Sequence, residues 1–333
     1  MVASTISTLP KLCPELQTIH LSYPQRDPMV TAAVSGMLLA TNRNTLRKLR
    51  VDSPLTKEAS EVIFKLSDLW TLSVVIERGI SLPSASLPNL IKLKISCEDE
   101  GNWSQLFHGA ELGKLESVSF SPQSKGIGDI LGAFKRSALS SSVQNTLSKF
   151  HVSASCSWNP NYLSLLPFTQ LVDLFIGFTC NRSCSSSVDD DIIIDLSRAM
   201  PKLQALKLGD EPCRQPTTGV TVKGLTALAL HCPYLRCLCI HFQVASLIAA
   251  PASPGISCNA GPTDSRSDCD LRELVVGQML VPEESVVMVA QTLLHIFPRI
   301  EQFGKKWGKV MNTIRLSKRS VDYSSKHLLH HTL

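Results

Sequence analysis

Residues 221–240 read TVKGLTALALHCPYLRCLCI. Val222, Leu225 and Leu228 recur at three-residue steps, a spacing typical of one face of a helix. Pro233 would end this helix, because proline lacks a backbone N–H and disfavours helical geometry in the residue before it. The last six residues have the form Leu-x-x-Leu-x-Leu, whose fourth and sixth positions alternate as in a half-buried strand. The stretch therefore predicts a helix, a turn and a strand.

The strand motif recurs along the whole chain. Successive copies begin 21 to 36 residues apart, mostly at or above the leucine-rich-repeat period of about 20 to 29 residues. The copies begin at Leu16, Leu46, Leu69, Leu90, Leu115, Leu147, Leu171, Leu203, Leu235 and Leu271, with a partial copy at Ile300. A single strand of this kind cannot bury its apolar face, so neighbouring copies must stack. The prediction is an α/β leucine-rich-repeat solenoid, or horseshoe, with a parallel concave sheet of about 10 to 11 strands and convex helices.

Five prolines support the same unit. Each stands two residues before the first position of a copy, where a preceding helix would end. They are Pro14, Pro88, Pro201, Pro233 and Pro298. Carboxylates at 189–191 also stand where a helix over 192–200 would begin, which favours a helix N-terminus there.

Composition and spacing define the predicted domain limits. With 333 residues, of which 44% are hydrophobic, the chain can form one continuous core over residues 1–304. A segment at about 249–270 is rich in Pro, Gly, Ser and Asp, which predicts a disordered insertion more strongly than a binding loop. In residues 305–333, Trp307, Val310 and Ile314 have helical spacing, so we expect a C-terminal capping helix followed by a frayed basic tail.

The sequence lacks signals for membrane insertion or export, which bears on its cellular location and on the state of its cysteines. No apolar run approaches the roughly 18 residues of a membrane span, and the first ten residues do not resemble a signal peptide. We therefore expect an intracellular chain, cytoplasmic or nuclear, whose eleven cysteines are reduced and mostly structural, with no bound metal. The alternative is that Cys156, Cys180, Cys184 and Cys213, in loops after successive strands, meet around zinc.

Catalytic motifs are missing from the sequence. It contains neither a Gly-x-Ser-x-Gly elbow nor a His-Glu-x-x-His pair, and Gly126-Ile127-Gly128 lacks the remainder of a nucleotide-binding loop. We therefore expect no enzymatic activity and no cofactor.

Three segments resemble the repeats of F-box leucine-rich-repeat proteins, particularly the large fungal branch of that family. They are residues 221–240, 12–16 and 199–203, which share a helix, a proline and then a strand. In that family an amino-terminal F-box docks on the Skp adaptor of a cullin ubiquitin ligase, and the repeats hold the substrate. The sequence shows no Leu-Pro-x-Glu start of an F-box before the first repeat. The resemblance thus implies a substrate-recognition solenoid, with a Skp adaptor as partner only if an F-box lies upstream.

The third and fifth positions of each copy would face outward on the concave sheet. Those of the first six copies are basic, hydroxylic or histidine, and basic copies two strands apart would form a ladder at about 10 Å intervals. The candidate partner-binding residues are Lys48, Arg50, Lys92, Lys94, Lys149, His151, Phe175 and Lys207. The ladder could attract an acidic or phosphorylated protein segment, or its lysines could be ordinary solubilising side chains.

These patterns favour two functions. The first is a protein–protein interaction module resembling the substrate-recognition part of an SCF-type ubiquitin ligase, which binds a protein target on the concave face. The alternative is a free-standing leucine-rich-repeat scaffold or regulatory protein without a ubiquitin role. A net charge of only +5 and the lack of a dense basic cluster do not favour nucleic acid, and no feature favours a membrane.

Overall fold

The structure is a computed structural model of the chain. It describes residues 2–23, 27–40, 45–77, 86–97, 107, 112–122, 130–139, 142–155, 161–179, 188–209, 219–249, 269–275, 283–303, 310 and 312–313. The chain divides into two compact units, Met1–Thr179 and Cys180–Leu333.

The first unit alternates parallel strands with helices. Its helices are α1 (Val2–Leu12), α2 (Pro28–Ala40), α3 (Lys57–Ile63), α4 (Ile130–Leu139) and α5 (Val143–Thr146), with a 3₁₀ helix at Tyr162–Leu165. Its strands are β1 (Thr18–Leu21), β2 (Lys48–Leu55), β3 (Thr71–Ile76), β4 (Lys92–Cys97), β5 (Ser117–Pro122), β6 (Lys149–Ser155) and β7 (Asp173–Thr179). Each strand begins at the third position of a copy of the sequence motif, so the strands coincide with the predicted copies.

Strands β1 to β7 pair in chain order, and every pair is parallel. The register repeats from strand to strand, so that Thr18 lies opposite Lys48 and Lys48 opposite Thr71. One irregularity interrupts it: between Val51 and Pro54 the register shifts, which leaves Asp52 in a bulge of β2. The α/β class and the parallel sheet predicted from the sequence are thus confirmed.

The core of the first unit contains the first, fourth and sixth positions of the copies. In β2, Leu49 and Val51 are fully buried, and in β3 Leu72 and Val74 are at most 2% exposed. The motif-leading Leu46 is 1% exposed. Burying one such side chain stabilises the fold by about 1.5 to 3 kcal/mol, so the repeated leucines are the main source of cohesion between neighbouring strands.

Five phenylalanines form an aromatic cluster within this core: Phe107, Phe120, Phe134, Phe150 and Phe168. Phe134 on α4 stacks on Phe168 with ring centroids 5.3 Å apart, and it meets Phe107 edge-on at 5.2 Å. Aromatic pairs of this geometry contribute about 0.5 to 1.5 kcal/mol beyond their buried area. The cluster therefore holds α4 against β5 and β6, on the face of the sheet opposite the exposed third and fifth positions.

The second unit repeats the same alternation. Its helices are α6 (Asp190–Ala199), α7 (Val222–His231), α8 (Val244–Ala249) and α9 (Val286–Ile296), with a 3₁₀ helix at Glu283–Ser285. Its strands are β8 (Ala205–Leu208), β9 (Cys237–Ile240), β10 (Glu273–Val275) and β11 (Gln302–Phe303). They pair in chain order and in parallel, with Ala205 opposite Cys237, and Glu273 opposite both Cys237 and Gln302.

Two neighbouring carboxylates, Asp189 and Asp190, accept hydrogen bonds at the N-termini of helices in the second unit. Asp189 caps α6 by accepting a hydrogen bond from the Ile192 backbone N–H at 3.0 Å, which confirms the predicted acidic helix start. The next residue, Asp190, reaches the following repeat. Its Oδ1 accepts from the backbone N–H groups of Thr221 at 2.8 Å and Gly224 at 2.9 Å, and its Oδ2 accepts from the Thr221 hydroxyl at 2.6 Å. Asp190 thus caps α7 from the neighbouring repeat.

Helix ends in this unit are joined by buried thiols. Cys232 Sγ donates to the carbonyl oxygens of Ser197 at 3.6 Å and Met200 at 3.7 Å, and Cys269 Sγ donates to that of Leu235 at 3.8 Å. Burial raises the pKa of Cys232 to about 12 and that of Cys269 to about 11. Both therefore stay protonated at neutral pH, and their burial fits the predicted structural role; the reduced state stays a prediction.

The prolines mark helix ends as predicted. Helices α1, α6, α7 and α9 each end two residues before Pro14, Pro201, Pro233 and Pro298, respectively. Residues 78–85, which precede Pro88 in the chain, lie outside the described residues.

Several sequence predictions fall on residues that the structure does not describe. Residues 250–268 of the predicted insertion lie outside the described part, but Cys269 is fully buried, so the packed fold resumes before position 270. In the predicted capping segment, Val310 is helical and 1% exposed, whereas Trp307 and Ile314 lie outside the described residues. A single solenoid over residues 1–304 stays a prediction.

Candidate functional site

The exposed face of the first unit's sheet brings the predicted basic residues into two rows. Because the register repeats, all third positions align across the strands, and so do all fifth positions. The third-position row runs Thr18, Lys48, Thr71, Lys92, Ser117, Lys149 and Asp173. The fifth-position row runs His20, Arg50, Ser73, Lys94, Ser119, His151 and Phe175. We call the surface formed by Lys48, Arg50, Lys92, Lys94, Lys149 and His151 the basic face.

Cations and hydroxyl groups alternate from strand to strand on this surface. The lysines and the arginine of the basic face are exposed, whereas the hydroxyl residues of β3 and β5 are half-buried. Adjacent strands lie about 4.8 Å apart, so β2, β4 and β6 place their cations at intervals of roughly 9.6 Å. The basic side chains are therefore more exposed than the hydroxyl groups of the strands between them.

Strand β4 carries the two cations with the least opposition. Among the residues that the structure describes, no carboxylate makes an ion pair with Lys92 or Lys94. Both are exposed, and both lie between hydroxyl residues of the neighbouring strands, with Lys94 opposite Ser73 and Ser119. The positive charges of Lys92 and Lys94 are therefore accessible to an anion that approaches from solvent.

On β2, a carboxylate opposes part of the positive charge. Arg50 Nε donates to Asp52 Oδ1 at 3.2 Å and Arg50 Nη2 donates to Oδ2 at 3.3 Å. Desolvation raises the pKa of Asp52, but hydrogen bonds from Arg50 and Ser22 and the charges of Arg50 and His20 outweigh it, so its pKa lies below the usual value. Asp52 is thus ionised at neutral pH, and β2 presents less net charge than β4.

At the β6–β7 edge of the surface, an acid and an aromatic ring adjoin the cations. His151 Nε2 lies 3.0 Å from Asp173 Oδ2, and the His151 and Phe175 rings meet edge-on with centroids 5.8 Å apart. A Cβ atom on Gly177 would lie only 2.6 Å from the Phe175 ring, so glycine lets that ring approach the strand. The sequence reasoning named His151 and Phe175 but missed Asp173 as a partner, although its third-position place two residues before Phe175 was a usable signal.

A cation–π pair next to the basic face was also missed. Arg47 Cζ lies 4.7 Å from the centroid of the Trp70 ring, and Trp70 is 39% exposed. Both residues occupy the second position of their copies, where Trp70 N–H donates to the Arg47 carbonyl oxygen at 2.7 Å. The sequence reasoning considered only third and fifth positions, so it passed over this pair, which adds an aromatic group and a cation at the start of β2 and β3.

The remaining candidate, Lys207, lies in the second unit. It is half-buried and lies opposite Cys239 on β9, which in turn lies opposite Val275. Among the described residues of these rows, Lys207 is the only cation, so the basic pattern of the first unit does not recur there.

A charge cluster in the second unit involves none of the predicted site residues. Asp270 forms ion pairs with Arg236 Nε at 3.3 Å, Arg272 Nε at 3.3 Å and Arg299 Nη1 at 3.6 Å. Desolvation raises the pKa of Asp270. The hydrogen bond from Arg272 and the charges of the three guanidinium groups outweigh this effect, so the pKa lies below the usual value. These groups link consecutive repeats at the start of β9, β10 and β11.

Metal sites and membrane-spanning helices can be assessed only for the described residues. Within them, no group of three or more His, Cys, Asp or Glu side chains could hold a metal ion. Cys156, Cys180, Cys184 and Cys213, the alternative zinc ligands, all lie outside the described residues. None of the helices in the described ranges combines the length and hydrophobicity that crossing a bilayer would need.

Comparisons with known proteins do not assign a family. No protein-family model matches the chain, and no curated protein matches it.

Proposed function

We propose that this chain is a leucine-rich-repeat interaction module whose basic face binds a protein target. The observation that carries the proposal is the register of β1 to β7, which aligns exposed cations and half-buried hydroxyls in two uninterrupted rows. A parallel sheet whose solvent face is ordered in this way suits an extended partner, because the same two positions recur on every strand.

The leucine-rich-repeat type is supported by the agreement between motif and strand. Copies of Leu-x-x-Leu-x-Leu coincide with β1 to β10, and the leading Leu69, Leu90 and Leu115 are fully buried. The thiol of Cys232 in the Cys-Pro segment faces the preceding repeat, which accounts physically for the residues that resemble F-box leucine-rich-repeat proteins.

Charge complementarity supports an anionic target. The described third and fifth positions of the first unit, together with Asp52, contain five lysine or arginine cations and two carboxylates, which leaves a net charge of +3 with histidine neutral. Such a surface attracts acidic or phosphorylated segments and accelerates their association at low ionic strength. By the resemblance, the target would be a substrate of a ubiquitin ligase; the intracellular location stays a prediction.

The test compares proteins captured by the wild-type chain and by two double variants. Lys92→Glu/Lys94→Glu reverses the charge of the least opposed pair. Lys57→Glu/Lys65→Glu makes the same change at the first residue of α3 and two residues past its end, where both lysines are exposed and neither lies in the two rows of the basic face. A target bound by the wild type and the α3 variant, but lost from the β4 variant, is expected. Equal capture by all three proteins would reject the basic face as the binding site.

The alternative is a leucine-rich-repeat scaffold without a ubiquitin role. Co-purification of the full-length gene product with a Skp adaptor separates the two functions, because only an F-box protein would retain that adaptor. Retention would favour ligase substrate recognition, and target binding without the adaptor would favour the scaffold.

A further inference from the structure

We propose that the basic face binds a polyproline II segment of a partner protein that carries a phosphorylated serine or threonine at every third residue. The segment would lie across β2 to β6, perpendicular to the strands. This inference rests on the proposed function and specifies the chemistry and spacing of the target.

The spacing argument starts from the repeat of the cations. They lie on β2, β4 and β6 and repeat every second strand, at roughly 9.6 Å. A polyproline II helix rises about 3.1 Å per residue with three residues per turn, so positions i, i+3 and i+6 share one face at intervals of about 9.3 Å. In a β-strand, positions i and i+3 point to opposite faces. Polyproline II therefore matches both the distance and the direction that the cations require.

The charge of the middle basic strand, β4, favours phosphate over carboxylate. The third and fifth positions supply a pair of groups on each basic strand: Lys48 with Arg50, Lys92 with Lys94, and Lys149 with His151. A phosphorylated side chain carries about −1.5 to −2 at neutral pH, which the two lysines of β4 can balance, whereas a carboxylate would leave one of these lysines unmatched.

Hydroxyl groups between the basic strands strengthen the case. Thr71 and Ser73 lie between the cations of β2 and β4, and Ser117 and Ser119 lie between those of β4 and β6. Each hydroxyl can donate one hydrogen bond, and a phosphate offers three acceptor oxygens. Each bound phosphate would therefore meet at least one cation on its own strand and hydroxyl donors on at least one neighbouring strand.

The three subsites are unequal. Asp52 reduces the charge on β2, and Asp173 reduces it on β6, where it lies 3.0 Å from His151. Described carboxylates make no such pair with the lysines of β4. The middle phosphate, over β4, is therefore expected to contribute most to affinity.

The experiment measures fluorescence anisotropy with proline-rich peptides that each carry three phosphoserines. The phosphates are spaced at two, three or four residues, and further peptides carry serine or glutamate in place of phosphoserine at spacing three. We expect the spacing-three phosphopeptide to bind about tenfold more tightly than every other peptide, and its affinity to fall as ionic strength rises. Lys92→Gln/Lys94→Gln should weaken it about tenfold, while Lys57→Gln/Lys65→Gln should leave it unchanged.

Several outcomes would overturn the inference. Equal affinity at all three spacings would mean unspecific attraction, and equal affinity for the glutamate peptide would mean an acidic target. Tighter binding of a single-stranded oligonucleotide of the same charge would assign the surface to nucleic acid. If no phosphopeptide binds but the captured target still depends on Lys92 and Lys94, this inference fails while the proposed function stands.

Discussion

Replacing Asp190 tests how neighbouring repeats are held together. Its carboxylate accepts three hydrogen bonds from the first turn of α7, at 2.6 to 2.9 Å, across 31 to 34 residues of sequence. Hydrogen bonds to charged groups contribute about 1.5 to 3 kcal/mol each when buried, but the partial exposure of this site reduces that figure to about 1 kcal/mol each. We therefore expect Asp190→Ala to destabilise the contact between α6 and α7 by about 3 kcal/mol.

The isosteric variant provides a graded comparison. In Asp190→Asn the amide oxygen can still accept from the backbone N–H groups of Thr221 and Gly224, and only the bond to the Thr221 hydroxyl changes character. We expect a loss of about 1 kcal/mol for this variant.

Hydrogen exchange at the Gly224 amide reports this contact directly. A loss of 3 kcal/mol corresponds to exchange roughly a hundredfold faster in Asp190→Ala, if the amide exchanges by local opening. Asp191→Ala is the matched control, because that carboxylate is 84% exposed and only pairs with Lys223 at 3.4 Å. It should change exchange by less than about fivefold, since exposed pairs contribute below about 1 kcal/mol. Equal exchange in Asp190→Ala and the control would refute the inter-repeat cap.

Two further predictions concern ionisable groups in the second unit. Because the folded-state pKa of Asp270 lies below its unfolded value, its ion pairs should stabilise the fold above the usual aspartate pKa of about 3.9 and lose that contribution as the pH falls through the lowered value. Asp270→Asn should therefore flatten the acid side of a melting-temperature profile, and an unchanged profile would contradict this. Burial and raised pKa values should protect Cys232 and Cys269 from iodoacetamide at about pH 8, while exposed Cys13 reacts. Mass spectrometry with and without denaturant checks this, and equal native labelling of all three thiols would contradict it.

The strands were predictable because their signal is local. The alternation of Leu49 and Val51 favours a half-buried strand, and both residues are indeed buried in β2. Helix ends were predictable for a similar reason: the geometry of Pro201 and Pro233 acts on the residues next to them in sequence.

The basic face was predictable only in outline. Third and fifth positions could be assigned to the exposed side of the sheet from their period of two, and the structure places Lys48, Arg50, Lys92, Lys94 and Lys149 there. Opposition by Asp52 was not predicted, although this carboxylate stands two residues after Arg50 and therefore shares its face of β2.

The amino-acid sequence by itself determined that the chain forms parallel strands separated by helices, because hydrophobic periodicity and proline geometry act over a few residues. Only the tertiary structure decided the partners of the polar groups: Asp190 with Thr221, Asp270 with three arginines, and Arg47 with Trp70. Apart from the pair of Asp270 with Arg272, which are two residues apart, each of those contacts joins residues of different repeats. Their distances depend on how the repeats of unequal length stack, and a one-residue change of register would break them.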